Sequence, residues 1–279
     1  MAVATDITLA AETDGLARVK AKAGDGVLWT LAGAILAFLY LPIVVLIIFS
    51  FNDSRSLTLP LSGFTWHWYE SMLANRDLLT SIWNSFYVGI IATALTLAIG
   101  VPAAFALDRL EFPGKRVFRR LVLLPLVLPG LITGIAMLNL FRLIGFNLSL
   151  ETVIMGHATA LVSVVATQVF ARLQRLNRSY EEASADLGAK PWETFYYVTF
   201  PNIRSAEIGS ALIAFTLSFD EIPVTYFLTG RDNTLPMYIW STLRRGITPE
   251  INAVGTLIVI ASLALIILSV RMIQDSEDK

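Results

Sequence analysis

Cysteine is absent from the 279-residue chain, and only two histidines occur. These absences exclude disulfides, thiolate nucleophiles and cysteine-ligated zinc or iron–sulfur centres, and they leave no histidine-rich metal site. Charge is also scarce, because 15% of the residues are charged against about 25% in a typical soluble domain. The net charge of -1 offers no basic surplus for a nucleic-acid partner. With 55% hydrophobic residues, the composition indicates a polytopic membrane protein.

Six apolar stretches are close to the roughly 20 helical residues that cross a hydrocarbon core of about 30 Å. Five of them contain no Asp, Glu, Lys or Arg, whereas one carries Asp220 and Glu221 side by side. The sequence therefore predicts an all-α fold with six transmembrane helices. The stretches are residues 27–51, 85–107, 121–141, 152–170, 208–228 and 251–270.

The ends of the chain and its loops give the topology. No small-residue cleavage pattern follows the first apolar stretch, so we interpret it as a retained span rather than a signal peptide. We predict a disordered cytoplasmic tail over 1–26, a membrane domain over 27–272 with its longest inner loop at 171–204, and a cytoplasmic tail over 273–279. Lys and Arg favour cytoplasmic loops. With the N-terminus inside, fifteen of the 21 basic residues fall on the inner side, so both termini are predicted to be cytoplasmic.

Proline interrupts several predicted spans, most densely at Pro125 and Pro129, which Gly130 follows. Each proline removes a backbone donor and clashes with the preceding turn, so we expect kinks there. Kinks of this kind occur in moving gates, and they are also common in membrane helices generally. Both interpretations stay open.

An aromatic segment and a histidine also call for an interpretation. Residues 64–69 contain four aromatic side chains, which suit either an aromatic belt at the membrane interface or a docking surface for an outside partner. His157 lies in the middle of a predicted span, with no second histidine or carboxylate close in sequence. We therefore predict that it is a hydrogen-bonded residue of helix packing rather than a ligand or a proton relay.

The longest inner loop carries signals for two short helices. Ser179 and Glu182 have the spacing of a capping box, which predicts that a helix begins there. Gly188 suits the left-handed position that follows a helix end, and Pro191 is tolerated in the first turn of a second helix. We expect Pro201 to end that second helix. The loop is thus predicted to form a helix–turn–helix at the cytoplasmic mouth of the membrane domain.

This loop resembles a motif of a known family. The pattern E-A-A, three residues, G, nine residues, I-x-L-P is the EAA loop of binding-protein-dependent ABC importer permeases, and the spacing is preserved here. Serine, valine and phenylalanine stand where the pattern has alanine, isoleucine and leucine. The matching residues are Glu182, Ala183, Ser184, Gly188, Val198, Thr199, Phe200 and Pro201.

The resemblance extends to the spermidine/putrescine branch of that family, and to its second permease subunit, over about residues 27–270. It implies a type I, MetI-like permease fold in a bacterial inner membrane, with the chain forming half of a pore beside a second, homologous permease. Two cytoplasmic ATPase subunits would bind ATP and Mg²⁺, an extracytoplasmic solute-binding protein would deliver the substrate, and this chain would hold no cofactor and act as no enzyme. The segments that carry the resemblance are 50–52, 182–201, 215–221, 227–230, 235–236 and 248–253.

The resemblance also implies roles for residues of the loop. Glu182, Ala183, Ser184, Gly188 and Pro201 would dock on the ATPase. From the spacing alone, a connector that packs only on its own membrane domain is an equally open interpretation.

Placing the two negative charges of Asp220 and Glu221 inside the membrane costs free energy unless water, a cation or a partner side chain compensates them. Pro223 loosens the helix just after the pair, and aromatic faces such as those of Phe219 and Tyr226 can also meet a cation. We therefore predict that Asp220 and Glu221 line a pathway for a polyamine. The alternative is a structural pair bound to an arginine, and adjacent helical residues point about 100° apart, so at most one faces the pore squarely.

Two other classes of function fit the sequence less well. A proton-coupled secondary transporter could use the acidic pair as a relay, but no inverted repeat is visible. A membrane-embedded enzyme would need a nucleophile with a base, or a metal centre, and none can be assembled here. No phosphate-binding G-x-x-x-x-G-K-[ST] motif occurs. The substrate stays open between polyamines and other small solutes, such as opines or amino-acid derivatives.

Overall fold

The computed structural model describes residue 26 and residues 28–56, 58–244, 246 and 248–277, with side chains described as far as residue 264. The tail predicted over 1–26 therefore lies outside the described residues, apart from its last residue. The described chain is helical, with an isolated bridge between Asn52 and Phe64 in place of any described strand. The helices are α1 (Leu28–Ser50), α2 (His67–Ala74), α3 (Arg76–Arg109), α4 (Lys115–Val127), α5 (Gly130–Leu143), α6 (Leu150–Arg175), α7 (Ser179–Asp186), α8 (Pro191–Thr194), α9 (Phe200–Phe219), α10 (Pro223–Leu228), α11 (Leu235–Leu243) and α12 (Pro249–Glu277), with a π-helical segment at Phe195–Thr199.

Three of these helices, α1, α3 and α6, are each long and apolar enough to cross a membrane, among the described residues. The pair α4 and α5 makes a fourth if it is counted as one span. The prediction of an all-α membrane fold is confirmed, and the count of six spans stays a prediction. The last helix, α12, extends to Glu277, so the segment from residue 273 to 277 continues a helix.

The third predicted span, over 121–141, is not one kinked helix. It consists of α4 and α5, which are bent by 112°. Leu128 has an extended backbone with ψ 128°, as expected before a proline, and Pro129 starts the turn into α5. Pro125 lies inside α4 without ending it. The sequence predicted a disturbance here, but it underestimated the break.

The larger of two compact units comprises residues 75–247. Its centre is the contact of α3 with α6, where a Cβ on Gly100 would lie 2.9 Å from a Val165 methyl carbon. Helix α9 approaches α3 as closely, because a Cβ on Gly89 would lie 2.9 Å from the Phe215 ring. Glycine therefore lets α6 and α9 reach α3 at distances that a side chain would prevent.

The smaller unit combines the chain before residue 75 with the chain from residue 248 onward. Here α1 meets α12, since a Cβ on Gly255 would lie 2.9 Å from Leu46. Ser71 donates a hydrogen bond of 2.5 Å to Glu250. The aromatic segment predicted from the sequence forms a cluster around Phe51, whose ring lies 5.2 Å from that of Phe64 and 4.9 Å from that of Trp66.

Candidate coupling loop and intramembrane site

The first helix of the inner loop, α7, begins at Ser179 as predicted, but the expected capping box is absent. Ser179 is already in the helix, because the N-cap position belongs to Arg178. The Ser179 backbone N–H instead donates to Asn177 Oδ1 at 3.1 Å. A serine must precede the first helical residue to cap it, so the pairing of Ser179 with Glu182 was wrong by one position.

The end of α7 follows the prediction. Gly188 has a left-handed backbone with φ +88°. Its N–H donates to the Ala185 carbonyl at 2.9 Å, and the Ala189 N–H donates to the Ser184 carbonyl at 3.1 Å. These two bonds form a Schellman motif, which satisfies carbonyls that the helix itself leaves free.

The second helix of the loop does not end at Pro201. α8, the π segment and α9 follow one another without a break from Pro191 to Phe219. Pro201 cannot donate a backbone hydrogen bond, and the turn before it is widened so that the Phe200 N–H bonds to the Phe195 carbonyl. A π turn of this kind accommodates the proline ring. The inner loop is therefore continuous with the helix that leads to the acidic pair.

Most residues of the EAA pattern occupy the outer surface of the loop, whereas Thr199 is buried. Glu182, Ala183, Gly188 and Pro201 are exposed, while Ser184 is half-buried and lies 3.0 Å from the Thr194 hydroxyl of α8. Large apolar side chains are exposed beside them. Leu187 is 90% exposed, and Tyr180, Trp192 and Tyr196 are each more than half exposed.

A buried ion cluster that the sequence analysis missed fixes the inner side of the same loop. Arg109, at the end of α3, places its Nε atom 2.8 Å from Glu181 Oε2 and also contacts Asp108. Thr199 of the π segment donates to Glu181 Oε1 at 2.7 Å. Glu181 and Arg109 are separated by 72 residues, so no local spacing connects them. Of the two adjacent glutamates, Glu181 therefore faces inward and Glu182 faces outward.

The acidic pair lies in a gap between α9 and α10. Asp220 is the C-cap residue of α9 and is exposed. Glu221 is half-buried, and its Oε1 accepts a hydrogen bond of 3.0 Å from the Val224 N–H in the first turn of α10. Neither carboxylate forms an ion pair with an arginine among the described residues. The structure separates the two acids, with Asp220 open and Glu221 engaged.

Glu221 also lies at the other helix break. A Cβ on Gly130, the first residue of α5, would be 3.1 Å from Glu221 Oε1. The break between α4 and α5 and the gap between α9 and α10 are thus adjacent. A carboxylate at the N-termini of two helices is favoured by their dipoles.

His157 holds the two sides of the gap together. Its imidazole is buried, with Nδ1 at 2.7 Å from Ser218 Oγ in α9 and Nε2 at 2.8 Å from Thr225 Oγ1 in α10. Thr225 donates its own hydroxyl proton to the Glu221 carbonyl. Nε2 is therefore the protonated nitrogen that donates to Thr225. The prediction of a hydrogen-bonded packing residue is confirmed.

The two aromatic residues predicted beside the acids have different surroundings. Phe219 packs with Phe86 and Phe215, at ring distances of 5.2 and 5.8 Å. Tyr226 is 50% exposed, and its ring meets that of Phe227. In the part of the chain that the structure describes, the two predicted aromatics share no ring contact. Among all the residues that the structure describes, no group of three or more His, Asp or Glu side chains is placed so that it could hold a metal ion.

Comparison with known families gives a match that includes both the inner loop and the acidic pair. The model of the family described as "Binding-protein-dependent transport system inner membrane component" matches residues 97–278. The chain is 37% identical over 229 residues to the putrescine transport system permease protein PotI of Escherichia coli K12, covering 79% of this chain and 81% of that protein. It is 32% identical over 234 residues to the spermidine/putrescine transport system permease protein PotC of Haemophilus influenzae, covering 84% and 91%.

Solved structures agree on the fold. A chain of a bacterial ABC transporter involved in import of the acidic polysaccharide alginate aligns with a TM-score of 0.66 at 18% identity, over 89% of this chain and 94% of that one. The inward-facing MetNI methionine ABC transporter aligns with a TM-score of 0.58 at 17% identity, over 74% and 95%. The predicted MetI-like permease fold is therefore confirmed.

Proposed function

Because the chain belongs to the family of binding-protein-dependent transport system inner membrane components and is the permease subunit of an ABC importer, we propose that it imports polyamines. In this proposal the chain forms half of the translocation pore. The observation that carries the substrate class is the 37% identity to a putrescine permease over about four fifths of both chains. The exposed Asp220 carboxylate is consistent with a cationic substrate.

The importer contains, in this proposal, a second homologous permease, two cytoplasmic ATPase subunits and an extracytoplasmic solute-binding protein. ATP and Mg²⁺ bind to the ATPase subunits and not to this chain. The exposed Leu187 and Trp192 support the ATPase contact, because they place apolar surface on a loop outside the predicted spans. Glu182, Ala183 and Gly188 lie on that same exposed surface.

The proposed topology has six spans in a bacterial inner membrane, with both termini and the inner loop in the cytoplasm. The six are α1, α3, the bent pair α4 and α5, α6, the interrupted pair α9 and α10, and α12. Single cysteines are convenient probes in a chain without cysteine. We expect labelling from outside at Ser56 and Asn233 and from inside at Lys115 and Lys190, and outside labelling of Lys190 would contradict the topology.

The substrate is tested with the assembled importer in proteoliposomes, with ATP inside and the binding protein outside. Labelled putrescine, spermidine, an opine and an amino-acid derivative are offered separately. We expect ATP-dependent uptake of a polyamine. Uptake of the other solutes alone would refute the polyamine assignment, and uptake driven by a proton gradient without ATP would refute the importer mechanism.

Docking of the inner loop is tested by Glu182→Lys. The side chain is exposed and outside the predicted spans, so the variant should insert normally, yet it should lose ATPase association in a pulldown and lose transport. Glu70→Lys, a reversal of an exposed charge on α2, is the matched control and should retain both. Gly188→Pro tests the loop less cleanly, because it also removes the Schellman hydrogen bond to Ala185. Normal assembly and transport with Glu182→Lys would overturn the docking proposal.

The acidic pair is tested by Asp220→Asn and Glu221→Gln, which keep size and hydrogen bonding while removing charge. We expect Asp220→Asn to depress polyamine uptake strongly with the complex intact. Glu221→Gln should have a smaller effect, because its amide oxygen can still accept from Val224. Asp232→Asn, at another exposed carboxylate, is the control. Unchanged uptake in the double variant would refute a pathway role, and loss of assembly would favour a structural one.

A further inference from the structure

Helix α4 has a basic face in its first two turns. Lys115, Arg116, Arg119 and Arg120 all fall within an arc of about 140° when successive residues are placed 100° apart. Arg116, Arg119 and Arg120 are exposed. Four cations in six residues therefore share one side of the helix.

The opposite side of the same turns is aliphatic and open. Val117 is 58% exposed and Leu121 is 61% exposed, and Leu124 extends the row with 49%. An amphipathic helix with a basic face beside an exposed aliphatic face is the pattern of segments that lie in the interface of a membrane. A soluble anion would give no reason for the aliphatic row.

A cavity of about 500 Å³ opens beside the basic face. Leu107 and Phe112 form its apolar part, Lys115, Arg116 and Arg119 line it with positive charge, and Glu111 adds one carboxylate. The cavity thus places positive charge next to apolar surface. This arrangement complements a lipid phosphate, which is negatively charged, and the apolar glycerol and acyl carbons attached to it.

The charges of this cluster are only partly compensated within the described residues. Lys115 donates a hydrogen bond of 2.8 Å to Glu111 and holds the pKa of that carboxyl below its usual range. The Arg119 guanidinium lies 5.0 Å from the centre of the Phe170 ring. No described acidic side chain lies within ion-pair distance of Arg116 or Arg120. Among the described residues, these two arginines are therefore the members of the cluster with neither an acidic nor an aromatic partner.

The cluster lies at the same end of the fold as the inner loop. Arg178, just before α7, donates a hydrogen bond of 3.0 Å to the Asp108 carbonyl at the end of α3. α4 begins six residues after Arg109. In the proposed topology this end faces the cytoplasmic leaflet, where anionic lipids attract basic segments.

We propose that the first two turns of α4 bind the headgroup of an anionic phospholipid of the cytoplasmic leaflet. Arg116 and Arg120 contact the phosphate, while Val117 and Leu121 lie among the acyl chains. The proposal rests on the topology given for the proposed function. Binding of this lipid anchors α4 at the interface, immediately before the bend into α5.

The experiment uses the assembled importer in nanodiscs and measures retention of labelled phosphatidylglycerol against phosphatidylcholine. Each basic side chain near an anionic surface contributes about fivefold to affinity, so Arg116→Gln with Arg120→Gln should lower preferential retention about 10- to 30-fold. Arg116→Lys with Arg120→Lys should retain most of it. Arg142→Gln with Arg231→Gln, two exposed arginines away from α4, is the matched control and should change retention by less than twofold.

Three results would overturn the proposal. Equal losses in the test and control pairs would indicate a general effect of charge. Displacement of the lipid by millimolar inorganic phosphate would indicate a site for a free anion. Loss of ATPase association with unchanged lipid retention would assign the basic face to the partner protein. Retention is measured without substrate, so a failure of polyamine uptake leaves this test intact.

Discussion

The cluster of Arg109, Glu181 and Asp108 predicts an asymmetric response to charge removal. The Arg109 and Asp108 side chains are 9% and 7% exposed, and Glu181 is 17% exposed. Arg109 pairs with both carboxylates, and the one other described cation near either of them is the exposed Arg178, at 4.0 Å from Asp108. Arg109→Met therefore leaves two buried negative charges, while Glu181→Gln leaves Arg109 still paired with Asp108.

The magnitudes follow from the distances. Unit charges 2.8 Å apart attract by roughly 6 kcal/mol at an effective dielectric constant of about 20, before desolvation is counted. Removing one member of a buried pair costs about 3 to 5 kcal/mol when the remaining charge is uncompensated, which is the expectation for Arg109→Met. Glu181→Gln loses a hydrogen bond to a charged group, which is worth about 1.5 to 3 kcal/mol.

Hydrogen exchange of residues 179–199 in the assembled complex measures this difference. A cost of about 3 kcal/mol corresponds to a roughly 150-fold increase in the opening constant of the loop. Arg178→Met is the control, because that side chain is 61% exposed and lies 4.0 Å from Asp108, and it should change protection less than tenfold. Equal loss of protection in Arg109→Met and Glu181→Gln would refute the reasoning.

Three further variants and one control variant test the packing of the interrupted helices and the loop. His157→Leu removes two interhelical hydrogen bonds, each worth about 0.6 kcal/mol and at most about 1.7 in membranes, so the thermal midpoint should fall. A midpoint equal to wild type would contradict a stabilising role of these bonds. Gly134→Val puts a Cβ 2.9 Å from the Phe227 ring and should cost about 1 to 3 kcal/mol; Gly209→Ala, with no neighbour within 4 Å, should not lower the midpoint. Gly188→Ala strains a left-handed residue by roughly 1 kcal/mol, so α7 should exchange faster, and unchanged exchange would refute that cost.

Local signals in the sequence predicted the inner loop well and its ends less well. Gly188 was predicted correctly because few residue types other than glycine adopt the left-handed backbone that follows a helix end. The capping box was wrong because the spacing of Ser179 and Glu182 does not specify which residue is the first in the helix, and Asn177 competes for the same N–H. Pro201 was expected to stop a helix because the pattern contains no signal for a π turn.

Contacts between distant segments could not be predicted from the sequence. Arg109 and Glu181 carry no mutual spacing, and the neighbouring Glu182 was the more prominent residue because it belongs to the EAA pattern. The bend at Pro129 is similar, since proline predicts a disturbed helix but packing determines whether the result is a kink or a turn of 112°. The acidic pair was found from its cost in a membrane. Its division into an open Asp220 and an engaged Glu221 required the structure.

The continuous helix from Pro191 to Phe219 connects the two proposed working parts of the chain. Its 29 residues span about 43 Å at 1.5 Å per residue, from the exposed loop to the gap at Asp220. Beyond the gap, α10 is held by α5 and α6, because Gly134 and Gly156 both lie against it without side chains. We infer that a displacement of the loop by an ATPase is transmitted along this helix and is relieved at the gap. The proposed pathway carboxylate, Asp220, then lies where this helix ends and α10 begins to contact α5 and α6.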